Sequence, residues 1–165
     1  MELAYLSLGS NMGDRAGNLR RAIASLGDVS EIVRVSSFYE TEPVEIVNQD
    51  LFINCVAALR TGLSAEQLLA GLLTIERKMG RIRTGSKGPR LIDLDILLFG
   101  DKIRKGESLT IPHPAMHARR FVLEPMAEIA PELKHPILGR SMAELLADLP
   151  AGTQAVNKIT EPLRE

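Results

Sequence analysis

Two aspartates interrupt an otherwise apolar run near the middle of the chain. The run covers residues 91–99, and its composition predicts a strand that is buried on at least one side. Because strand side chains alternate between faces, Asp93 and Asp95 share one face, with Cα atoms roughly 6.6 Å apart. A buried carboxylate is costly unless it is paired or binds a metal, so the pair suggests a cation site. An exposed sheet face that carries two acids explains the pattern equally well. The residues predicted to face the opposite way are Ile92, Leu94, Ile96 and Leu98.

The segment before this strand is basic and rich in chain-breaking residues. Residues 81–90 contain four cations, and Gly85, Gly88 and Pro89 exclude a regular helix or a central strand. A basic loop that leads into paired carboxylates provides the parts of a phosphoryl-transfer site, in which acids hold Mg²⁺ and cations hold phosphate oxygens. A solvated charged loop is the commoner origin of such a run. The two features together favour the site.

Composition excludes several classes of protein. A chain of 165 residues with 45% hydrophobic residues can form one domain with a real core and is not disordered. A net charge of −1 and an aromatic content of 4% argue against a nucleic-acid binder. Cys55 is the single cysteine, which fits a reducing compartment. Residues 1–10 do not resemble a signal peptide, and no apolar stretch is long enough to cross a membrane. We therefore expect a cytoplasmic protein.

Hydrophobic periodicity and turn signals predict elements in the order β-α-β-β-α-β, followed by extensions. The strands are predicted at 3–8, 32–39, 51–59 and 91–99, and the main helices at 19–26 and from the capping box at 64–67 to Gly80. Two further helices are predicted at 121–129, kinked at Pro125, and at 141–149, before a loosely held tail at 150–165. This order predicts an α+β fold, with a ferredoxin-like antiparallel sheet, both main helices on one face and the other face open to ligand. Residues 1–165 are expected to form a single domain.

Other positions allow both a structural and a functional interpretation. Residues 40–50 form a long loop of the kind that often binds ligands. Asn54 beside Phe52 could bind a flat heterocycle, although a buried Asn is more often a satisfied core amide. Glu76 ends a helix next to the basic loop, and the pattern does not separate a solvated Glu from a ligand-positioning one. His113, between two prolines, is either structural or a donor to a phosphate oxygen.

The run Lys87-Gly88-Pro89-Arg90-Leu91-Ile92-Asp93-Leu94-Asp95-Ile96-Leu97 closely resembles the signature of the 6-hydroxymethyl-7,8-dihydropterin pyrophosphokinases. These folate-biosynthesis enzymes move a pyrophosphoryl group from ATP to a pterin alcohol. The likeness extends over nearly the whole chain and includes residues 4–11, 36–41, 52–54, 80–83, 111–114 and 128–133.

The resemblance implies roles for the matching positions. Asp93 and Asp95 resemble the ligands of two Mg²⁺ ions that bridge the ATP phosphates, and Arg81 and Arg90 are expected to act with them in catalysis. Contacts with ATP are implied for Glu76, Arg83, Lys87, Arg90, Ile96, Thr110, His113 and Arg119. Contacts with the pterin are implied for Thr41, Val44, Phe52, Asn54 and Phe121, with the two phenylalanine rings on either side of it.

The chain departs from the family pattern at three positions. Ser108 stands where many members have Arg, Leu73 where they have Gln, and Lys87 where they have Trp. These changes put in doubt one triphosphate contact, one nucleotide contact and an aromatic loop anchor. They should tune affinity and loop motion rather than abolish the chemistry.

The expected partners are ATP and 6-hydroxymethyl-7,8-dihydropterin, without nucleic acid or membrane, and the expected state is a monomer. A rival from another class is a non-catalytic ferredoxin-like module that binds RNA or a regulatory ligand, which would not require Mg²⁺-dependent ATP binding. A nearer rival is a kinase that transfers only the γ-phosphoryl group to another alcohol.

Overall fold

The computed structural model describes residues 1–41, 51–80 and 91–159. Eight strands lie in this part of the chain: β1 (Glu2–Ser10), β2 (Glu31–Val35), β3 (Tyr39–Thr41), β4 (Phe52–Thr61), β5 (Asp93–Phe99), β6 (Arg104–Lys105), β7 (Thr110–Ile111) and β8 (Val156–Lys158). The α-helices are α1 (Arg15–Gly27), α2 (Ala65–Lys78), α3 (Arg120–Ile129) and α4 (Met142–Asp148), and a 3₁₀ turn spans Met116–Ala118.

The main sheet is antiparallel throughout and has the order β5-β1-β4-β3-β8, with β2 also paired to β4. Strands β6 and β7 form a separate two-stranded sheet. The central pair, β1 and β4, lies between the acidic strand β5 and the short strands on the other side. This arrangement confirms the predicted α+β fold and the ferredoxin-like strand order.

One face of the sheet packs against α1 and α2. The capping box at Ser64 is present, with its hydroxyl accepting from the Gln67 N–H at 3.1 Å and the Gln67 side chain accepting from the Ser64 N–H at 2.9 Å. This cap starts α2 in the orientation that buries its apolar stripe. The helical part of the resulting core consists of Leu19, Ala22, Leu26, Ala65, Leu68, Leu72 and Ile75. Burial of these side chains holds both main helices on one face, as predicted.

The second face is not left entirely open, and here the prediction is wrong. Tyr5, Val56 and Ala58 pack in a second apolar cluster with the buried face of α3 and with α4. From α3 this cluster takes Val122, Leu123, Met126 and Ile129. The C-terminal helices therefore cover one half of this face, because that half is apolar, whereas the other half carries polar residues, of which Asp93 and Asp95 are half-buried.

A β-bulge changes the face of the sheet to which the last side chains of β5 point. Leu6 pairs with Ile96, but Tyr5 pairs with Leu98, so Leu97 is an extra residue in the ladder. Leu97 and Leu98 both join the second cluster, while Ile92, Leu94 and Ile96 join the first. The expectation that Leu98 shares a face with Leu94 is therefore wrong, since strict alternation ends at the bulge.

The strand predicted at 32–39 is two strands. Between β2 and β3, the Ser36 N–H donates to the Val56 carbonyl at 2.8 Å, and the Ser36 hydroxyl accepts from the Val56 N–H at 2.9 Å. The serine side chain thus replaces a backbone acceptor and allows the chain to change direction without losing a hydrogen bond. This break lets β3 continue along β4 toward the polar half of the face.

Residues 156–159 are held to the sheet, whereas a loosely held tail is predicted at 150–165. Val156, Asn157 and Lys158 pair with β3, and the Ile159 N–H donates to the Phe38 carbonyl at 2.9 Å. Arg120 Nε also donates to the Thr153 carbonyl at 2.9 Å. The described part of the tail is therefore an edge strand of the main sheet.

Asn157→Pro is expected to lower stability by about 2 kcal/mol, because Asn157 has the same alternation as Ile159 and its N–H therefore faces β3. That loss corresponds to a fall in melting temperature of roughly 4–8 °C. Asn157→Ala is the matched control, since the side chain is exposed and alanine keeps the N–H. Equal melting temperatures for the two variants would show that the pairing of β8 does not contribute.

Candidate active site

The polar half of the second face brings several of the predicted site residues together. Cross-strand pairing places Asp93, Gly9, Asn54 and Tyr39 side by side on β5, β1, β4 and β3. A second row begins at Asp95, which pairs with Ser7. Since paired residues point to the same face, the acidic strand and the polar part of β4 share one surface. With neighbouring strands about 4.8 Å apart, β5 and β4 are separated by about 10 Å.

The Asn54 amide is held in one orientation. Asn54 is buried, and its Oδ1 accepts a hydrogen bond from the Thr41 hydroxyl at 2.7 Å. Its Nδ2 lies over Gly9, where an added Cβ would be only 2.6 Å away. Thr41 therefore fixes which side of the amide donates, and Gly9 leaves the space that the amide occupies.

Gly9 is a site residue that the sequence analysis missed. The first strand is predicted at residues 3–8, which leaves Gly9 outside it, but Gly9 lies inside β1. A glycine inside a strand is a signal for close approach by another group, which is its role here.

Phe52 comes from the sheet, and Phe121 comes from the helix that packs on its second face. Phe52 begins β4 and pairs with Thr41, whereas Phe121 is in the first turn of α3, the helix that packs on this face. Both rings are half-buried. Arg119 extends over the Phe121 ring, with its guanidinium carbon 5.5 Å from the ring centroid. An accessible aromatic side chain therefore comes from the sheet and another from the helix.

Glu76 supports the acidic strand from behind. Its side chain is buried, and Oε2 accepts from the Leu94 N–H at 2.8 Å. Leu94 lies between the two aspartates, and its N–H faces the outer edge of β5 rather than β1. Glu76 therefore stabilises strand β5 by accepting the hydrogen bond of an edge N–H group. Because Ile96 follows the same alternation, its backbone groups also face that edge.

His113 is held next to β5 by the bulge. Its N–H donates to the Leu97 carbonyl at 2.9 Å, and its Nδ1 accepts from the Ala115 N–H at 3.2 Å, so the proton of the neutral ring is on Nε2. Burial lowers the pKa of His113, and the Arg119 cation lowers it further, while the charge of Asp93 opposes both. His113 therefore lies within electrostatic range of Arg119 and Asp93, and its ring is a neutral donor at pH 7.

Thr110 is in β7 and pairs with Lys105, so it reaches this region through the hairpin that leads to His113. Five predicted site residues lie outside the described part of the chain: Val44, Arg81, Arg83, Lys87 and Arg90. Their predicted roles therefore stay predictions. Within the described part, no group of three or more His, Cys, Asp or Glu side chains could hold a metal ion. No helix in the described ranges has the length and apolarity to span a bilayer.

The fold and this surface define a class: an α+β domain that carries two carboxylates, an amide and two aromatic side chains on one half-covered sheet face. The family model for 7,8-dihydro-6-hydroxymethylpterin-pyrophosphokinase (HPPK) matches residues 5–131. This chain belongs to the HPPK family.

Two relatives illustrate the likeness. The 2-amino-4-hydroxy-6-hydroxymethyldihydropteridine pyrophosphokinase of Bacillus subtilis is 43% identical over 134 residues, with 80% of each chain covered. The folic acid synthesis protein fol1 of Schizosaccharomyces pombe is 41% identical over 152 residues, which cover 91% of this chain and 21% of that protein. The chain thus spans about a fifth of the length of the fol1 protein.

Solved structures show the same fold. A crystal structure of Plasmodium falciparum HPPK-DHPS with pteroate superimposes with a TM-score of 0.70 at 18% identity, over 88% of this chain and 44% of the other. At that identity the likeness concerns the fold alone.

Proposed function

We propose that this chain transfers a pyrophosphoryl group from ATP to 6-hydroxymethyl-7,8-dihydropterin in folate biosynthesis, releasing AMP. The observation that supports it most is the shared surface: Asp93 and Asp95 face the same side of the sheet as Asn54, about 10 Å away across β1. That spacing suits a pterin ring at Asn54 and the triphosphate of ATP at the two aspartates. Membership of the HPPK family gives the substrates and the reaction their names.

Asp93 and Asp95 fit magnesium by the chemistry of their donors. Both residues are half-buried on one strand face, and carboxylate oxygens are preferred Mg²⁺ ligands. Magnesium in phosphate-binding sites is usually held by one or two carboxylates together with substrate phosphates, so a larger protein cluster is not required. We propose that these two residues hold two Mg²⁺ ions, which would neutralise the triphosphate charge and align the reacting groups.

The chain's own residues would bind and orient the two substrates. Thr41 and Asn54 would hydrogen-bond the polar edge of the pterin, and Phe52 and Phe121 would lie on its two faces, together with Val44. The Nε2–H of His113 and the guanidinium of Arg119 would hold phosphate oxygens. For ATP we propose further contacts with the backbone of Ile96 and Thr110. Glu76 would contribute to ATP binding indirectly, by holding strand β5 at Leu94.

The reaction would then be an in-line displacement. The pterin hydroxymethyl oxygen forms a bond to the β-phosphorus and releases its proton to solvent, and the bond from that phosphorus to the oxygen it shares with the α-phosphate breaks, so that AMP leaves with that oxygen. Arg81, Arg83, Lys87 and Arg90 are proposed to neutralise phosphate charge, and Arg81 and Arg90 are proposed to act in catalysis. Positioning and charge neutralisation, rather than a strong base, are expected to carry the rate.

The proposal extends to the state of the protein: one domain over residues 1–165 that acts as a cytoplasmic monomer. Sedimentation at several concentrations tests the oligomeric state, and a dimer would contradict it.

The test of function is to incubate the protein with ATP, Mg²⁺ and the pterin and to separate the nucleotide products. AMP formed only in the presence of the pterin is the expected result. ADP would replace pyrophosphoryl transfer by transfer of the γ-phosphoryl group. No turnover by a folded sample, with Mg²⁺-dependent ATP binding also absent, would favour a non-catalytic module.

A further inference from the structure

Two sequence segments that the proposed chemistry does not use meet in the structure. One is the segment around Ser37 and Tyr39, and the other is the end of α3 around Glu128. The Glu128 carboxylate accepts from the Ser37 N–H at 3.0 Å, from the Ser37 hydroxyl at 2.7 Å and from the Tyr39 hydroxyl at 2.7 Å. Lys158 Nζ lies 3.8 Å from the same carboxylate. Glu128 is thus bonded to the β2–β3 connection and to β3, and is paired with β8.

The protonation states favour this cluster near neutral pH. Burial alone would raise the pKa of Glu128, but the hydrogen bonds from Ser37 and Tyr39 and the charge of Lys158 together lower it. Burial raises the pKa of Tyr39 well above its usual value, and the Glu128 carboxylate raises it further, with a smaller contribution from Glu124. The carboxylate is therefore ionised and the phenol protonated, which makes their contact a charge-assisted hydrogen bond.

The elements that this cluster joins also carry the proposed pterin residues. Tyr39 pairs directly with Asn54, and Thr41, two residues further along β3, donates to the Asn54 amide. On α3, Phe121 precedes Glu128 by seven residues, which places both on the same side of the helix about 10 Å apart. A bond between Glu128 and Tyr39 thus limits how far the Phe121 end of α3 can move from Thr41 and Asn54.

We propose that Glu128, acting through Tyr39 and Ser37, is a positioning residue that sets the gap between α3 and the sheet in which the pterin ring lies. This inference rests on the proposed function and deepens it, because it concerns the same pocket. Glu128 does not itself touch the substrate. Its loss loosens the end of α3 that carries Phe121 and, at the N-cap, Arg119, and leaves Asp93 and Asp95 on β5 in place.

The decisive measurement is the KM for each substrate in Glu128→Ala and in Tyr39→Phe. Either variant is expected to raise the KM for the pterin about tenfold and to raise the KM for ATP by a clearly smaller factor, because among the proposed phosphate contacts only Arg119 adjoins α3. Glu128→Gln, which keeps an acceptor, is expected to fall between the wild type and Glu128→Ala. Glu132→Ala is the matched control, since Glu132 is exposed and lies just beyond the same helix.

The double variant tests whether the two residues act through one contact. Glu128→Ala combined with Tyr39→Phe is expected to raise the KM for the pterin by much less than the product of the single effects. Tyr39→Phe keeps the ring and its packing, so it reports on the contact even if Glu128→Ala folds poorly. Unchanged KM values for the pterin, or equal rises for both substrates, would overturn the inference.

Direct titration with the pterin separates failure of this inference from failure of the proposed function. If the wild type binds the pterin but forms no AMP, the transfer reaction is wrong, and the ratio of Kd values between variant and wild type still tests Glu128. If the wild type does not bind the pterin, both proposals fall.

Discussion

Replacing Asp95 with asparagine is expected to lower kcat by about a thousandfold, equivalent to roughly 4 kcal/mol of transition-state stabilisation. Asparagine keeps the shape of the side chain and removes the charge that a magnesium ion requires. Asp95 pairs with Ser7 on a half-exposed sheet face, so the substitution leaves no cavity in either apolar cluster. The measurements are the rate of AMP formation across a range of Mg²⁺ concentrations and the melting temperature, which is expected to change little.

Asp101→Asn is the matched control for this prediction, because Asp101 is an exposed acid in the turn that follows the same strand. It should retain wild-type turnover. If Asp95→Asn kept full turnover with a normal dependence on Mg²⁺, the assignment of Asp95 as a metal ligand would be wrong.

Gly9→Ala is expected to raise the Kd for the pterin by about 30-fold to 100-fold, the equivalent of losing roughly 2–3 kcal/mol of hydrogen bonding. The new Cβ would lie 2.6 Å from Asn54 Nδ2, so the amide is forced out of its orientation. Thr41 then loses its acceptor, and the amide no longer presents the same donors to a ligand. Because the Thr41 hydroxyl and the Asn54 amide are both buried, the lost hydrogen bond should also lower stability by about 1–3 kcal/mol.

Gly62→Ala provides the comparison, because a Cβ there would meet only Met1 at an ordinary distance of 3.9 Å. The measurements are pterin titrations and melting temperatures of both variants. Equal pterin affinities for the two variants would show that Asn54 is not oriented for the pterin by the space above Gly9.

Local patterns were sufficient for much of the fold. The alternation along β4 correctly separates Cys55 and Ala57, in the first core, from Val56 and Ala58, in the second. The capping boxes at Ser64 and Ser141 start α2 and α4 where predicted, because they depend on side chains only three residues apart. Signals of this kind are local, so they can be read without knowledge of the tertiary structure.

The sequence by itself also determined that Asp93 and Asp95 share a face, because residues i and i+2 of a regular strand point to the same face and the bulge comes after Asp95. Only the tertiary structure decided that Leu98 turns to the second face, because one extra residue at Leu97 shifts the alternation without any change in composition.

The same is true of strand β8 and of the contact between Glu128 and Tyr39. Residues 156–158 are short and mostly exposed, and backbone bonding to β3, which no hydrophobic pattern records, places them in the sheet. Glu128 and Tyr39 are 89 residues apart in the chain and meet only after α3 packs across the sheet. Residue types and spacing determine which groups are available to the site, whereas strand pairing and helix packing decide which of them come into contact.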